Sequence, residues 1–352
     1  MVAFDTSALT NGNKVRGVGV YTTLLLEALE KYASEVKVKP FQRGKSIPKE
    51  ADIIHYTYFD PFNLDLPTTS SYPRVVTVHD LIPLVFPDKF PSGVRGFITW
   101  QIQRIALRNC DRIITDSQCS KSDIARIVPY PEDNIDVVYL ASHEDFKVNT
   151  NPDEIKIVKK KYSIVKPFFL YVGDVNWNKN VTTLIDAYAY FREKYSLNAD
   201  LALVGGSFLS ENLVETQQIN HIIKEHKLEK YIHRLGHITR DELRSLYVEA
   251  VALIQPSFYE GFGLPIIEAM TSGGIVIASE GGSLKEVVGP SIRIEATKME
   301  SMVEAMDKAM NMTAQERTNY KKKAAAWVSQ FSWKRVAAET IQSYEKSLIN
   351  AS

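Results

Sequence analysis

The chain has 352 residues, 45% of them hydrophobic and 24% charged, and its 42 basic residues (Lys and Arg) equal its 42 acidic ones. This length exceeds one ordinary domain core and suits two domains. The even charge balance excludes a global basic field for nucleic acid, and the two cysteines exclude a disulfide scaffold. Neither a signal peptide nor a membrane-spanning apolar run is recognisable, so we expect a cytoplasmic protein.

The first half of the chain alternates predicted strands and helices, beginning with a strand at residues 2–5. Gly17 and Gly19 then precede a predicted helix at 20–32. The third glycine of a dinucleotide fingerprint is absent, because Thr22 occupies its position. A plain helix start and a loop that approaches phosphate are therefore about equally favoured.

His79 follows a predicted strand at residues 74–78. In an open α/β sheet, ligands bind beyond the carboxyl ends of the strands, so His79 with its neighbour Asp80 could belong to a site. A lone histidine is more often a hydrogen-bonded structural residue than a functional one. The position of His79 at a strand end makes a structural and a functional role about equally favoured.

A predicted amphipathic helix at residues 97–109 carries Phe97 and Ile98, with Arg95 and Arg112 nearby. We expect a helix that faces the core with a solvated basic side. The alternative is a surface that binds anionic lipid headgroups.

A polar, proline-bearing linker is predicted at residues 149–153, and strands alternating with helices resume after it. This alternation predicts a parallel sheet covered on both faces in each half. Lys179 lies at a helix start after a strand and a glycine, where an ammonium strengthens an anion site. Gly205 also follows a strand and permits close backbone approach.

The richest chemistry lies between Glu260 and Glu268. A predicted buried strand at 251–256 leads into a Gly-X-Gly turn, and Pro265 suits the first turn of a helix. Strand, loop and helix together direct backbone N–H groups and a positive helix end at one point, which is an anion site. Carboxylates beside it suit hydroxyl groups attached to the anion, as in a nucleoside diphosphate sugar.

The stretch from Glu260 to Glu268, with Gly-Phe-Gly-Leu-Pro between them, resembles the E-x7-E signature of family 4 glycosyltransferases, which are retaining GT-B enzymes. The resemblance covers essentially the whole chain. It implies an α/β fold of two Rossmann-like domains whose parallel sheets face each other across a cleft. The acceptor domain would be 1–150, completed by a C-terminal helix at 334–352, and the nucleotide-sugar domain would be 151–333.

The resemblance also implies roles for individual residues. His79 would bind a hydroxyl of the donor sugar, Glu260 would contact that sugar, and Lys179 would neutralise the departing phosphate. The other implied donor-binding residues are Gly17, Gly19, Gly205, Ile238, Phe262, Gly263, Leu264 and Glu268. The resemblance further implies that neither a metal nor a cofactor beyond the nucleotide-sugar donor is needed, and the lack of a DxD-type acidic pair in a plausible loop agrees with this expectation.

One position departs from the family pattern. An arginine usually stands shortly before the phosphate lysine, but this chain has Asp-Val-Asn-Trp-Asn at 174–178. Asn176 or Asn178 would then act as a neutral donor, or an arginine such as Arg16 would come from elsewhere.

The run at residues 77–83, with Phe86 and Pro87 after it, resembles a mannosyltransferase-like branch that builds bacterial surface polysaccharides. GDP-mannose is therefore the first choice of donor, and a UDP-hexose is the second. The expected acceptor is a glycan or lipid-linked glycan, with a possible peripheral contact at the inner face of the membrane. A nucleotide-sugar epimerase and an inactive regulator that binds a nucleotide sugar are the alternatives.

Overall fold

The structure, a computed structural model, describes residues 1–10, 17–148, 151–195 and 199–351. Within these ranges the strands form two six-stranded parallel sheets. The chain divides into two compact units, a first unit of Met1–Ala141 with Phe331–Ser352 and a second unit of Ser142–Gln330. The predicted α/β architecture with two parallel sheets is confirmed.

The strands and helices are numbered in chain order. The strands are β1 (Val2–Asp5), β2 (Val38–Phe41), β3 (Ile53–Tyr56), β4 (Arg74–Thr77), β5 (Arg112–Thr115), β6 (Ile135–Val137), β7 (Phe168–Val172), β8 (Asp200–Val204), β9 (Ile232–Gly236), β10 (Ala252–Gln255), β11 (Val276–Ala278) and β12 (Ile292–Arg293). The helices are α1 (Gly17–Tyr32), α2 (Ile82–Val85), α3 (Gly93–Arg108), α4 (Gln118–Ile127), α5 (Pro152–Lys161), α6 (Val181–Tyr195), α7 (Val214–Glu225), α8 (Arg240–Glu249), α9 (Leu264–Thr271), α10 (Leu284–Val287), α11 (Met299–Met310), α12 (Ala314–Val328) and α13 (Trp333–Ala351).

Each sheet contains a point where the strand order reverses. The first sheet has the order β2-β1-β3-β4-β5-β6, and the second has the order β12-β11-β10-β7-β8-β9. In the second sheet β7 lies between β10 and β8, so the loops after β7 and β10 leave the sheet side by side. Ligands of open α/β sheets bind at such switch points.

The strands are short apolar runs because helices cover both faces of each sheet. In β7, the side chains from Phe168 to Tyr171 are fully buried. This strand pairs in register with β8, from Phe168 opposite Asp200 to Val172 opposite Val204. Burial of one large apolar side chain contributes roughly 1.5–3 kcal/mol, so β7 and β8 form much of the core of the second unit.

Gly17 and Gly19 lie within α1, three residues or fewer before the predicted helix start at residue 20, which agrees with the helix-start interpretation of these glycines. One predicted element boundary is wrong. The predicted linker at 149–153 runs into α5, since the Asn151 side chain accepts the N–H of Asp153 and caps that helix. Residues 149 and 150 lie outside the described ranges.

Side chains cap the starts of two further helices. The Ser117 hydroxyl accepts the N–H of Ser120 and caps α4. Thr239 and Glu242 form a capping box at the start of α8. Among the helices described, none combines the length and the apolar content that crossing a bilayer requires.

Candidate active site

Glu260 is buried in the loop after β10, and three side chains hold its carboxylate. Lys179 Nζ lies 2.6 Å from Oε2. The Ser257 hydroxyl and the Gln255 amide donate to Oε1 at 2.7 and 2.9 Å. Because both oxygens have donors, the carboxylate is fixed in one orientation, and it fixes the lysine in turn.

Lys179 ends a short 3-10 turn, Trp177–Lys179, just beyond β7. An ammonium carries three N–H donors, and only the one directed at Glu260 has a partner within the part of the chain described here. The Lys179 side chain is 21% exposed. Two donors on a fixed cation therefore remain for an anion at the switch point between β7 and β10.

The loops after β7 and β10 are tied together beneath the lysine. Asn178 Nδ2 donates to the carbonyl of Tyr259 at 2.9 Å, and the carbonyl of Asn178 accepts the N–H of Phe258 at 2.8 Å. The Trp177 ring stacks on Phe258 with centroids 5.1 Å apart. Asn178 is buried, so it holds the loop and does not present a neutral donor to a ligand.

Residues 174–178, just before Lys179, contain no arginine or other cation that could replace the family arginine. Asn176 is exposed, which keeps it available as a neutral donor. Arg16 lies outside the described residues.

Gly205 lies where two loops pass very close to each other. A Cβ at this position would be 2.1 Å from the carbonyl oxygen of Gly173, so only glycine fits. The N–H of Gly205 donates to the carbonyl of Gly236 at 3.0 Å. This bond ties the loop after β8 to the turn that carries the half-buried Ile238.

The start of α9 follows the loop after β10, so it lies at the same switch point of the second sheet as Lys179. Gly263 precedes the helix with a φ of 103°, and a Cβ there would be 2.4 Å from Leu284 Cδ2. Leu264 is the first helical residue and Phe262 is buried. Pro265 has no N–H and the Ile266 N–H donates to the Gly263 carbonyl at 3.0 Å, so the Leu264 N–H and the positive end of the helix dipole are what this end offers an anion.

Glu268 lies in the second turn of α9, in surroundings separate from those of Glu260. The Tyr247 hydroxyl donates to its Oε2 at 3.0 Å. Burial raises the pKa of Glu268 to about 7, and the Tyr247 hydrogen bond and the Arg240 charge offset this effect only in part. Glu268 therefore gains or loses its proton near neutral pH.

In the first unit, His79 is paired with a buried carboxylate. His79 Nδ1 and Asp116 Oδ2 lie 2.7 Å apart, and the Tyr21 ring meets the imidazole edge-on at 4.6 Å. Burial lowers the pKa of His79, but the Asp116 charge and hydrogen bond, together with Asp80 and the backbone of Thr57, raise it, and the net direction is upward. Nε2 is buried without a hydrogen-bond partner among the described residues, which favours a role in binding.

The remaining predicted residues of the first unit are less constrained. Asp80 accepts the N–H of Ile82, the first residue of α2, which is a structural role. Gly19 is buried, whereas Gly17 is exposed, and a Cβ at Gly17 would have no described atom within 4 Å. The open space beside Gly17 is compatible with the predicted approach of a ligand.

Sequence reasoning missed four residues that hold the predicted site residues, namely Ser257, Gln255, Tyr247 and Asp116. Gln255 carries a signal, because a polar residue in a short buried strand needs a partner. Asp116 directly follows β5 and could have been found by the strand-end argument that selected His79. Tyr247 lies on α8 and carries no such signal. Within the described ranges, no group of three or more His, Cys, Asp or Glu side chains could hold a metal ion.

Solved structures with the same fold extend over the whole chain. The sucrose-phosphate synthase of Thermosynechococcus elongatus has a TM-score of 0.78 at 20% identity and covers 100% of this chain and 99% of its own. The Anabaena protein HepE, solved in complex with UDP and glucose, has a TM-score of 0.77 at 16% identity, with 98% and 99% covered. These likenesses confirm the GT-B type of fold.

Curated relatives are mannosyltransferases by name. O-antigen chain mannosyltransferase B of Escherichia coli is 29% identical over 84% of this chain and 75% of its own length. The serotype-specific mannosyltransferase WbdA of Escherichia coli is 26% identical over 84% of this chain, which spans only 37% of that longer protein. These similarities support glycosyl transfer as the class of reaction.

Family models match both halves of the chain. The model described as Glycosyltransferase Family 4 matches residues 38–141, and the model described as Glycosyl transferases group 1 matches residues 154–327. The second range contains Lys179, Glu260 and Glu268. The chain belongs to the family 4 type of glycosyltransferases, and it resembles their mannosyltransferase-like branch.

Proposed function

We propose that this protein transfers mannose from GDP-mannose, with retention at the anomeric carbon, to a hydroxyl of a glycan or lipid-linked glycan. The observation that carries the proposal is the Lys179–Glu260 pair at the switch point of the second sheet. Relatives named as mannosyltransferases support mannose as the sugar. Structural neighbours solved with UDP or UDP-glucose keep a UDP-hexose as the second choice.

The geometry suits the departure of a diphosphate. The two remaining donors of Lys179, the Leu264 N–H and the positive end of the α9 dipole stabilise negative charge as it grows on the leaving phosphate. Glu260 acts on this step by holding Lys179 in place. We assign Glu268 to the ribose hydroxyls and His79 to a hydroxyl of the donor sugar.

The bond changes balance without a covalent enzyme intermediate. The bond from the anomeric carbon to the phosphate oxygen breaks, and a bond to the acceptor oxygen forms on the same face. The proton of the acceptor hydroxyl passes to the departing diphosphate. Because side chains and backbone amides supply the positive charge, we propose that no divalent metal takes part.

A donor screen tests the proposal. The purified protein is incubated with GDP-mannose or UDP-hexoses and with mannoside acceptors, with and without a chelator. Mass spectrometry identifies the products and NMR gives the anomeric configuration. An α-mannoside formed from GDP-mannose in the presence of the chelator supports all parts of the proposal. A product from UDP-hexoses alone contradicts the donor, an isomerised donor indicates an epimerase, and binding without turnover indicates a regulator.

A further inference from the structure

Helix α3 exposes an apolar surface that no described residue of the first unit covers. Phe97 and Ile98 are 60% and 54% exposed. They are joined on the same face by the exposed side chains of Val94, Ile102 and Ile105. Among the described helices, none of the others exposes as many large apolar side chains.

The face opposite this surface anchors the helix to its unit. Trp100, Gln103 and Leu107 are buried, and the Gln103 amide bonds the backbone of Leu66. At about 100° per residue, the centre of this buried face lies across the helix from the centre of the exposed surface, with Phe97 at the border nearest Trp100. The helix does face the core, as expected, but it does so through Trp100, Gln103 and Leu107, which leaves Phe97 and Ile98 on its exposed side.

The rim of this surface is positively charged. Arg95 and Arg104 fall on its two sides and Arg108 lies at its C-terminal end, and none of the three forms an ion pair with a described residue. The 16 residues of α3 include no aspartate or glutamate. Arg112, predicted to add to these charges, is instead buried and paired with Asp136 at 2.6 Å.

We propose that the exposed face of α3 docks on an anionic lipid bilayer. Apolar side chains such as Phe97 and Ile98 would enter the boundary between headgroups and acyl chains, while the arginines pair with lipid phosphates. A helix that presents an apolar stripe between arginines, without acidic residues, is complementary to such a surface in both polarity and charge. A second copy of this chain fits less well, because it would bring the same arginines together.

Docking on a membrane would bring the protein to a lipid-linked acceptor, which lies at a membrane surface. This connection to the acceptor is the only part of the inference that rests on the proposed function. Docking itself requires neither donor nor acceptor. Its failure can therefore be distinguished from the failure of the proposed function.

Vesicle co-sedimentation tests the docking. Full-length protein is mixed with vesicles of phosphatidylcholine alone or of phosphatidylcholine with phosphatidylglycerol, at low and high salt. We expect binding to the anionic vesicles that weakens as salt rises. Binding absent from both vesicle types, or equal on both, overturns the proposal.

Two variants separate the apolar and the charged contributions. Phe97→Ser with Ile98→Ser should weaken binding to anionic vesicles at least tenfold, since most of the apolar surface that the two side chains would bury in the bilayer is lost. Arg95→Gln, Arg104→Gln and Arg108→Gln together should weaken it about a hundredfold, at roughly fivefold for each arginine. Because none of the altered side chains is buried, the thermal unfolding temperatures should stay near that of the wild type.

Matched controls lie in the second unit. Val165→Ser changes an exposed apolar residue, and Lys321→Gln, Lys322→Gln and Lys323→Gln remove three exposed charges from α12. Both controls should keep wild-type binding to vesicles. Equal losses of vesicle binding in the controls and in the α3 variants overturn the proposal. The proposal is also overturned if the wild type is a dimer, and the variant of Phe97 and Ile98 is a monomer that binds vesicles as the wild type does. Transfer to a soluble acceptor without any vesicle binding overturns the docking and leaves the proposed function standing.

Discussion

At the scale of single residues, the Lys179–Glu260 pair should contribute both to the stability of the fold and to turnover. Lys179→Ala leaves a carboxylate that is only 7% exposed without its cation, which should cost about 3 kcal/mol of unfolding free energy. Turnover should fall roughly 10²-fold, because charge on the leaving phosphate loses its partner. Thermal unfolding and steady-state kinetics measure the two effects.

A double variant separates these effects. Lys179→Ala with Glu260→Gln removes the unpaired charge, so it should recover most of the stability but none of the turnover. Lys159→Ala breaks a more exposed pair with Glu249 and should change neither quantity much. Recovery of turnover in the double variant would show that Lys179 serves the fold alone.

Glu268 should make the stability depend on pH. Its pKa rises from 4.5 to about 7 on folding, so the native state binds more protons than the unfolded state between these values. The free energy of unfolding therefore falls as the pH rises through this range, by at most about 3 kcal/mol before screening by solvent. Glu268→Gln should remove this loss, so that the variant gains stability relative to the wild type at pH 8 but not at pH 5. Thermal unfolding across the range measures it, and parallel pH profiles for the two proteins would contradict it.

Asp116 should set the ionisation of His79. Asp116→Asn removes the carboxylate that raises the pKa of His79, so burial then dominates and the pKa should fall. An NMR titration of the His79 ring protons measures the change. Asp80→Asn is the matched control, because that carboxylate raises the pKa less. An equal fall in both variants would show that the pairing at 2.7 Å has no special influence.

At the scale of elements, the site depends on loops that pass too closely for side chains. Gly205→Ala places a methyl group against the carbonyl oxygen of Gly173, and a backbone atom cannot yield as a flexible side chain can. We expect lower stability, by about 1–3 kcal/mol, and weaker binding of GDP-mannose. Gly17→Ala serves as the control for stability, since a Cβ there meets no described atom and helix propensity favours alanine. Calorimetry that finds both variants equally stable would contradict the close approach.

The strands and turns that depend on a local pattern of residues were predictable from the sequence. The central strands are apolar runs, and the turns after β7 and β10 carry the glycines and polar residues that identified Lys179 and Glu260. Helix α5 was missed because only Val158 among its residues is buried, which leaves a run of charges that looks like a linker. Which face of α3 meets the core depends on distant residues such as Leu66, and no local pattern contains that information.

The contacts between individual side chains at the strand ends were the least predictable feature. Asp116 reaches His79 because β4 and β5 are adjacent in the first sheet, and Gln255 meets Glu260 only through the path of the loop between them. Sequence spacing predicted that strand ends carry the site. It did not predict which strand ends adjoin one another.

At the scale of the whole molecule, the two units have different chain architectures. The second unit is one continuous segment, Ser142–Gln330, whereas the first requires α13, where the Tyr344 hydroxyl lies 2.7 Å from His55 Nδ1 in the core. Every residue that we assign to the nucleotide and its phosphates, apart from Gly17 and Gly19, lies in the second unit. A fragment of residues 142–330 contains a complete six-stranded sheet and should therefore fold alone.

This fragment should bind GDP-mannose but transfer no sugar, because His79 and the predicted acceptor domain are absent from it. Calorimetry on the fragment and on its Glu268→Ala variant measures the binding and its dependence on the assigned carboxylate. A folded fragment that does not bind the nucleotide sugar would show that the first unit supplies donor contacts that we have assigned to the second. Full affinity in the fragment without transfer would place donor recognition in the second unit and make the first unit necessary for the reaction alone.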